Sequence, residues 1–471
     1  MIESAGIAFR IDRHGAMPVF AQVYEAIRAR IVSGALEEGA RLPPSRSLAI
    51  DLGLSRSTVN AAYEQLVAEG YILGRRGAGY FVRPMGEVEF APPPAPRPRS
   101  PPVNAGAETP PPFQPGVPDM RLFPYAQWAR QVARTARTVP AALIASTDPF
   151  GDLELRAAIA EHIAEWRGVV ADPRRIIVTA GSGDALEICI RTLARPGDHI
   201  GLEDPGYGQL RNFVSSLGLT PNWLDIDDAG AVLPAGRGRT PGLVVLTPSH
   251  QFPLGGAMSP ARRSAFLAWA AGAEAWIVED DYDSEFRYSG RPIPAMTGLD
   301  GGQRTIYAGS FSKVFSNSLR IGYLVVPERL TDCAAQTLQS FGVKASIAPQ
   351  RPLAGFMADG EFYRHLRRVR RIYNDRRRVL VEALRRDLPA ARFADHQAGM
   401  LIALRLPAHV DDRVIAREAA EAGLGPLALS AFYARPTKAR GLVLGFCAFT
   451  DAEIERATPA LAAVVDRHLG I

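Results

Sequence analysis

Residues 307–323 read YAGSFSKVFSNSLRIGY, and the reading of most of the chain turns on what one side chain in that stretch is for. Lys313 stands among small and hydroxyl residues, Arg320 follows seven positions later, and a short apolar run comes next. An amine beside hydroxyls and a guanidinium has the chemistry to hold a phosphorylated aldehyde. The amine takes the carbonyl carbon, and the hydroxyls and guanidinium take the anion.

Working outward, strand-like apolar runs alternate with helical stretches from Phe113 to the C-terminus. Arg175 to Thr179 (RIIVT), Ile200 to Leu202, Leu243 to Leu246 (LVVL), Ala275 to Val278 and Thr305 to Ala308 each end in Gly, Ser, Pro or Asp. Short buried strands whose carboxyl ends empty into polar loops predict an α/β layer with a ligand crevice at those ends.

Four of the loops suit one ligand. AGSGDALEI offers the backbone N–H groups of Gly181, Ser182 and Gly183 at a helix N-terminus, a ready anion site. A dinucleotide fingerprint fails there, because Leu186 stands where its third glycine belongs. EDPGYG presents Tyr207, DDYDSEFRY presents Asp280 and Tyr282, and SFSK presents Ser310, Ser312 and Lys313, with Arg320 behind. Each answers a need of pyridoxal 5'-phosphate. Lys313 forms the Schiff base, Asp280 keeps the ring nitrogen protonated, and Tyr282 bonds the ring oxygen. Tyr207 stacks on the ring, and the glycine turn, Ser310, Ser312 and Arg320 hold the phosphate.

The first 85 residues are of another kind. PVFAQVYEAIRARIVS places Val19, Val23, Ile27 and Ile31 four apart, on one helix face. A short helix over Ser45–Asp51, a glycine turn and a second helix capped by Ser55, with Val59, Leu66 and Val67 inward, predict a helix-turn-helix. Tyr71–Leu73, GRRGAG and Tyr80–Val82 then read as a two-stranded wing. Residues 1–85 hold ten arginines against eight acids, so any DNA binding must come from placement rather than from a uniform field. Between Pro92 and Pro112 ten prolines fall in 21 residues, predicting an extended spacer of roughly 60 Å at ~3.1 Å per residue.

LPPSR, LGLSRSTVNAAYEQL, EGY and GAGYFV resemble the winged helix-turn-helix of the GntR family of bacterial regulators. PFGDLELRAAIAEH, TPSHQFPLG, EDDYDSEFRY and GSFSKVFSNSLRIGY resemble the fold type I aminotransferases. Joined by a linker, the two are similar to the MocR subfamily. The resemblance implies a winged head over 15–84, a Pro-rich linker over 85–112 and an aminotransferase-like body over 113–471. That body would have a large α/β domain with a mostly parallel sheet and a smaller C-terminal α+β domain. It further implies that Arg46, Ser55, Arg56, Ser57 and Thr58 meet the major groove and that Arg76 and Gly77 reach the minor groove. Partners would be a double-stranded operator, a small amine or amino-acid effector exchanged as an aldimine at Lys313, and a second copy in a homodimer with heads swapped between subunits.

Two departures from working aminotransferases bear on function. Phe252 stands where such enzymes place an asparagine on the ring oxygen, and Val443 where they place an arginine for the substrate carboxylate, with Arg435 and Arg440 nearby as substitutes. The sequence therefore favours a regulator over two alternatives, an aminotransferase with a regulatory head and a sensor of pyridoxal phosphate itself. Residues 365–386 are densely basic, with Leu366, Val369, Tyr373, Leu380 and Leu384 on one face, which predicts a solvated helix face packing into the dimer, with auxiliary contact to bent DNA as the alternative. Cys189, Cys333 and Cys447 lie far apart without metal-ligand spacing and are expected to be reduced core residues. No run reaches the ~18 apolar residues of a membrane span, and MIESAGIAFRIDRHG has no leader-like apolar core. A cytoplasmic location is expected, and no metal.

Overall fold

The computed structural model describes residues 11–470 except 14, 16, 76, 85–109, 146–147 and 235–238. The chain divides into two compact units, Met1–Ala105 and Gly106–Ile471. The spacer falls almost wholly outside the described residues, as does Arg76.

In the first unit α1 (Val19–Val32), α2 (Ser45–Leu52) and α3 (Arg56–Ala68) precede β1 (Ile72–Arg75) and β2 (Gly79–Val82). The strands pair antiparallel with Ile72 opposite Val82 and Arg75 opposite Gly79. Gly77, at φ +79°, makes the turn between them. The α3 stripe Val59, Ala62, Tyr63 and Leu66 is buried against Val23, Ile27, Ile31 and Leu48. Val67, expected inward, is 40% exposed. It lies a full 100° around the helix from Leu66, past the edge of the buried stripe. The Tyr63 hydroxyl donates to Pro43 O at 2.8 Å, fixing α3 against the segment that leads into α2.

The second unit is built on an eight-stranded sheet of β3 (Ile176–Thr179), β4 (His199–Asp204), β5 (Thr220–Asp227), β6 (Gly230–Ala231), β7 (Leu243–Leu246), β8 (Trp276–Asp281), β9 (Thr305–Ser310) and β10 (Gly322–Val325). Their order is β3-β10-β9-β8-β7-β4-β5-β6. β10 runs antiparallel between β3 and β9, β6 is antiparallel to β5, and the remaining pairs are parallel. Strands β3, β7, β9 and β10 are buried throughout, as sheets covered on both faces are. A smaller antiparallel sheet follows, formed by Arg392–Phe393, Leu401–Leu406, Leu427–Ala428 and Arg440–Gly445, and the long helices Glu361–Asp387 and Asp451–Leu469 contribute to its core.

The register decides where the loops meet. Gly322 pairs with both Thr179 and Ser310, so the end of β3, the end of β9 and the start of β10 coincide. A Cβ on Gly322 would come within 2.9 Å of Gly181 Cα; only glycine lets the β3 turn sit this close to the Lys313 loop.

The basic helix buries all five of its expected apolar residues, and Arg376 and Arg377 as well. Arg376 reaches Asp119 at 2.9 Å and Arg377 pairs with Asp395, so these two arginines serve packing. Cys189 and Cys447 are buried and Cys333, expected in the core, is exposed on its helix.

Arg167 ends the helix Leu153–Arg167 and is fully desolvated. Its Nε lies 2.8 Å from Asp281 and its Nη2 3.3 Å from Glu279, both on β8. Arg167→Met should lower the stability of this unit by about 3–5 kcal/mol, because two buried carboxylates lose their counter-charge. Urea unfolding followed by tryptophan fluorescence measures it, and a loss under ~1 kcal/mol would show that those carboxylates do not depend on Arg167.

Candidate functional site

The parallel strands deliver their side chains to one edge. Asp204 closes β4, Asp280 and Asp281 close β8, and Ser310 closes β9. Asp280 is 8% exposed and its Oδ1 has no hydrogen-bond partner. Burial, reinforced by Asp281, Glu203 and Asp283, pushes its carboxyl up to about 7. Neighbouring Glu203 is also pushed up to about 7 by burial. Its oxygens are already engaged by Thr247 N at 3.1 Å, Thr247 Oγ1 at 2.5 Å and Gln251 Nε2 at 3.2 Å. Asp280 is thus the acid left waiting for a cation.

Tyr282 follows two residues on, and burial raises its phenol well above the ordinary tyrosine range. His250 Nδ1 lies 2.9 Å from the Tyr282 hydroxyl and 3.1 Å from Asp283 Oδ2. With the proton on Nδ1 given to the Asp283 carboxylate, the Tyr282 hydroxyl is free to donate elsewhere. His250 and Asp283 escaped the sequence reading, although both lie inside quoted motifs. Their signal was a histidine one loop away from a D-x-Y-D run, and only the fold joins the two.

Lys313 sits on the loop between β9 and β10. Its Nζ donates to Gly116 O, and burial lowers its pKa. Gly116, at φ +75°, has its missing Cβ position 3.0 Å from that Nζ, so any side chain there would crowd the amine; no motif pointed to this residue. Beside the lysine, Ser310 Oγ accepts from Ser312 N at 3.1 Å. Gly181, at φ +99°, caps the helix Ser182–Leu193. The space at the Gly183 Cβ position is open, and the Gly181 position lies 3.8 Å from Ser312 Oγ. Arg320 is exposed and holds φ +48°. The glycine turn and the hydroxyls therefore lie together, with Arg320 at the rim.

Tyr207 caps the helix Gly208–Ser216 and is 38% exposed, its hydroxyl donating to Gln209 at 2.6 Å. Phe252 meets it edge-on at 6.3 Å and also contacts Tyr282 at 5.7 Å and Phe432 at 5.3 Å. Val443 is fully buried in the small sheet and belongs to this apolar cluster. The two substitute arginines are engaged elsewhere. Arg440 Nη1 bonds Thr437 O and Ala439 O. Arg435 Nε binds Asp204 at 2.8 Å and its Nη2 binds Asp225 at 2.5 Å. Asp204 also accepts from Ala434 N at 2.7 Å, and Gly206 N donates to Phe432 O at 3.2 Å. The 432–435 loop is thereby fastened to the turn that carries Tyr207.

In the first unit Ser55 caps α3. Its Oγ accepts from Thr58 N at 3.1 Å and lies 2.8 Å from Ser57 Oγ and 2.7 Å from Thr58 Oγ1. The hydroxyl that was expected to face DNA is spent on its own helix start. Arg46, Arg56 and Ser57 are exposed, and Gly77 marks the wing turn. Among the described residues there is no group of His, Cys, Asp and Glu able to hold a metal, and no helix long and apolar enough to cross a membrane.

Comparison with known proteins agrees on both units. Residues 122–461 match the family "Aminotransferase class I and II", and residues 20–82 match "Bacterial regulatory proteins, gntR family". The chain is 38% identical over 458 residues to the "Probable rhizopine catabolism regulatory protein MocR" of Rhizobium meliloti, covering 93% of this chain and 91% of that one. It is 33% identical over 449 residues to the pyridoxine biosynthesis transcriptional regulator PdxR of Corynebacterium glutamicum, covering 94% and 95%. Among solved structures, LysN, an alpha-aminoadipate aminotransferase from Thermus thermophilus complexed with N-(5'-phosphopyridoxyl)-L-leucine, superposes with a TM-score of 0.69 at 26% identity, over 76% of this chain and 92% of that one. The group this fold uses is pyridoxal 5'-phosphate, and the residues present fit it. A buried, unpartnered Asp280 oxygen is what a protonated ring nitrogen requires, and the desolvated Lys313 is the amine.

Proposed function

The chain belongs to the MocR subfamily of GntR-type transcriptional regulators, which carry an aminotransferase-like body, and from that premise we propose that it is a sensor of a small amine acting through Lys313. The observation that carries this reading is the pairing, at one sheet edge, of a desolvated lysine with an unpartnered buried carboxylate, in a chain whose other unit is a DNA-reading head.

When bound, pyridoxal phosphate supplies an aldehyde carbon that a primary amine can take and an electron-poor ring that stabilises charge beside it. Asp280 holds the proton on the ring nitrogen. Tyr282, kept protonated by burial, would donate to the ring oxygen, its hydroxyl left free because His250 Nδ1 gives its proton to Asp283. Gly181, Ser182, Gly183, Ser310 and Ser312 take the phosphate, with Arg320 closing from the rim, and Tyr207 covers the ring face. Lys313 would hold the cofactor through its aldehyde carbon, and an effector amine that took its place there would leave the Lys313 amine with Gly116 O as its acceptor. Phe252 and Val443 set apolar walls where turnover would call for polar ones, which supports a regulator over an enzyme.

The head reads a double-stranded operator, with Arg46, Arg56, Ser57 and Thr58 at the major groove, Ser55 shaping the helix start, and Arg76 and Gly77 at the minor groove. A cytoplasmic homodimer with swapped heads over paired half-sites would raise affinity through effective concentration. Effector capture alters DNA binding only through different affinity for two arrangements of the protein.

Purified, cofactor-loaded protein is tested on its own upstream DNA with a panel of amines. The expected result is that at least one amine shifts the cofactor absorbance and the DNA affinity with the same half-saturation. DNA binding that follows pyridoxal phosphate but ignores every amine would replace this reading with a sensor of the cofactor. Sustained transamination with 2-oxoglutarate would replace it with an enzyme.

A further inference from the structure

β8 lies between β7 and β9 in the sheet, so the loop that follows it has the β7 loop on one side and the β9 loop on the other. The three loops carry Asp283, His250 and Lys313 in turn. Asp283 is 1% exposed. Its Oδ2 lies 3.1 Å from His250 Nδ1, and its Oδ1, also buried, has no hydrogen-bond partner. The His250 ring is fixed from behind, where a Cβ on Gly399 would come within 1.9 Å of its Cε1. Nδ1 is thereby kept toward Asp283 and Tyr282, and Nε2 is buried without a partner.

A buried carboxylate with one bare oxygen calls for a cation. Asp280 has the ring nitrogen, Asp281 has Arg167 at 2.8 Å, and Glu203 has Thr247 and Gln251. For Asp283 the neighbouring cation is Lys313: burial lowers that amine, and Asp283, ahead of Cys447, opposes the lowering. The other groups around the pair do not supply the charge. Burial raises Tyr282, Tyr288 and the Cys447 thiol well above their ordinary ranges, so all three stay protonated. Arg376 is spent on Asp119 at 2.9 Å and on Cys447 O. His396, beside His250 Nε2 at the Gly255 turn, is lowered by burial and by His250, and carries no charge in neutral solution.

We propose that Asp283, held by His250, is the counter-anion of the Lys313 nitrogen and keeps it protonated, both as the free amine and when it is joined to the cofactor. The proton comes from solvent. A positive nitrogen draws electrons from the carbon it is bonded to, and that carbon is the one an incoming amine attacks. Asp283 thus sets the pH range over which an effector can displace the lysine. His250 holds the carboxylate whether or not the lysine nitrogen is charged. This deepens the amine-sensing reading and rests on its assignment of Lys313.

The chain has three lysines, Lys313, Lys344 and Lys438, so reductive methylation of the cofactor-free protein with an isotope label gives few NMR signals, and the lysine signal missing from Lys313→Ala is the one to follow. Its pH titration is compared between wild type and Asp283→Asn. The midpoint should fall by about one pH unit or more, the scale on which a neighbouring opposite charge acts, which is a loss of about tenfold in proton affinity. Asp283→Glu keeps the charge and should recover most of the loss, and the Lys344 and Lys438 signals should not move. In cofactor-loaded protein the pH at which the absorbance changes form should fall in parallel. Asp283→Ser, read in the same way, replaces Asp283→Asn if that variant does not fold. An unchanged Lys313 midpoint, or an equal fall in Asp283→Glu, overturns the role of Asp283 and leaves the amine sensor standing. If borohydride fixes no cofactor at residue 313 of wild type, the reading of Lys313 fails, and this proposal with it.

Discussion

Lys313→Ala is expected to abolish covalent capture of pyridoxal phosphate and, with it, every response to amines. Borohydride treatment of cofactor-loaded wild type should fix the cofactor irreversibly at residue 313, and the variant should release all of it on denaturation. Affinity for the cofactor should fall by about 100-fold or more, roughly 3 kcal/mol, since only the phosphate cradle and Asp280 remain. The fold should not suffer. Lys313 is a desolvated amine whose pKa burial lowers, and removing it takes a costly group out of the interior. The head has its own core of Val23, Ile27, Val59, Tyr63 and Leu66, so binding to a single half-site should persist. A variant that still changed its DNA affinity with an amine would end the mechanism proposed for this residue.

Asp280→Asn is expected to move cofactor affinity and cofactor-free stability in opposite directions. In the folded, cofactor-free protein burial holds the Asp280 carboxyl up to about 7, against about 3.9 in an unfolded chain. Between those values the folded state keeps a proton that the unfolded state has released. The contribution of this group is therefore fully present below about pH 4 and is lost as pH rises through about 7. Asparagine removes that slope, so cofactor-free Asp280→Asn should be the more stable protein at pH 8, by on the order of a few kcal/mol. Its affinity for pyridoxal phosphate should nevertheless drop by about 100- to 1000-fold, because the ring nitrogen loses a buried anionic partner. Urea midpoints at pH 5 and pH 8, with and without cofactor, measure both quantities. Unchanged cofactor affinity would remove Asp280 from the role given to it.

The strand ends were legible because apolar runs such as RIIVT and LVVL break abruptly into Gly, Ser and Asp, and this local signal survives folding. The antiparallel β10 was visible only as an apolar run after Arg320, since nothing in a single strand tells its direction. Tyr282 could be read from its place after Asp280. Its partner His250 could not, because 32 residues separate them and only the alignment of β7 with β8 closes that gap. Ser55 was legible as a cap from its position, and the structure shows that this use consumes its hydroxyl. Val67 and Cys333 were misplaced for one reason: an apolar or small residue at the border of a helical stripe carries no mark of which side it falls on.

Asp204 gives the body a stiff hinge pin. One carboxylate grips the loop of the C-terminal sheet and, through the peptide chain, the turn bearing Tyr207. Any separation of that loop from the end of β4 would therefore break the Arg435 ion pair and the Ala434 amide bond together.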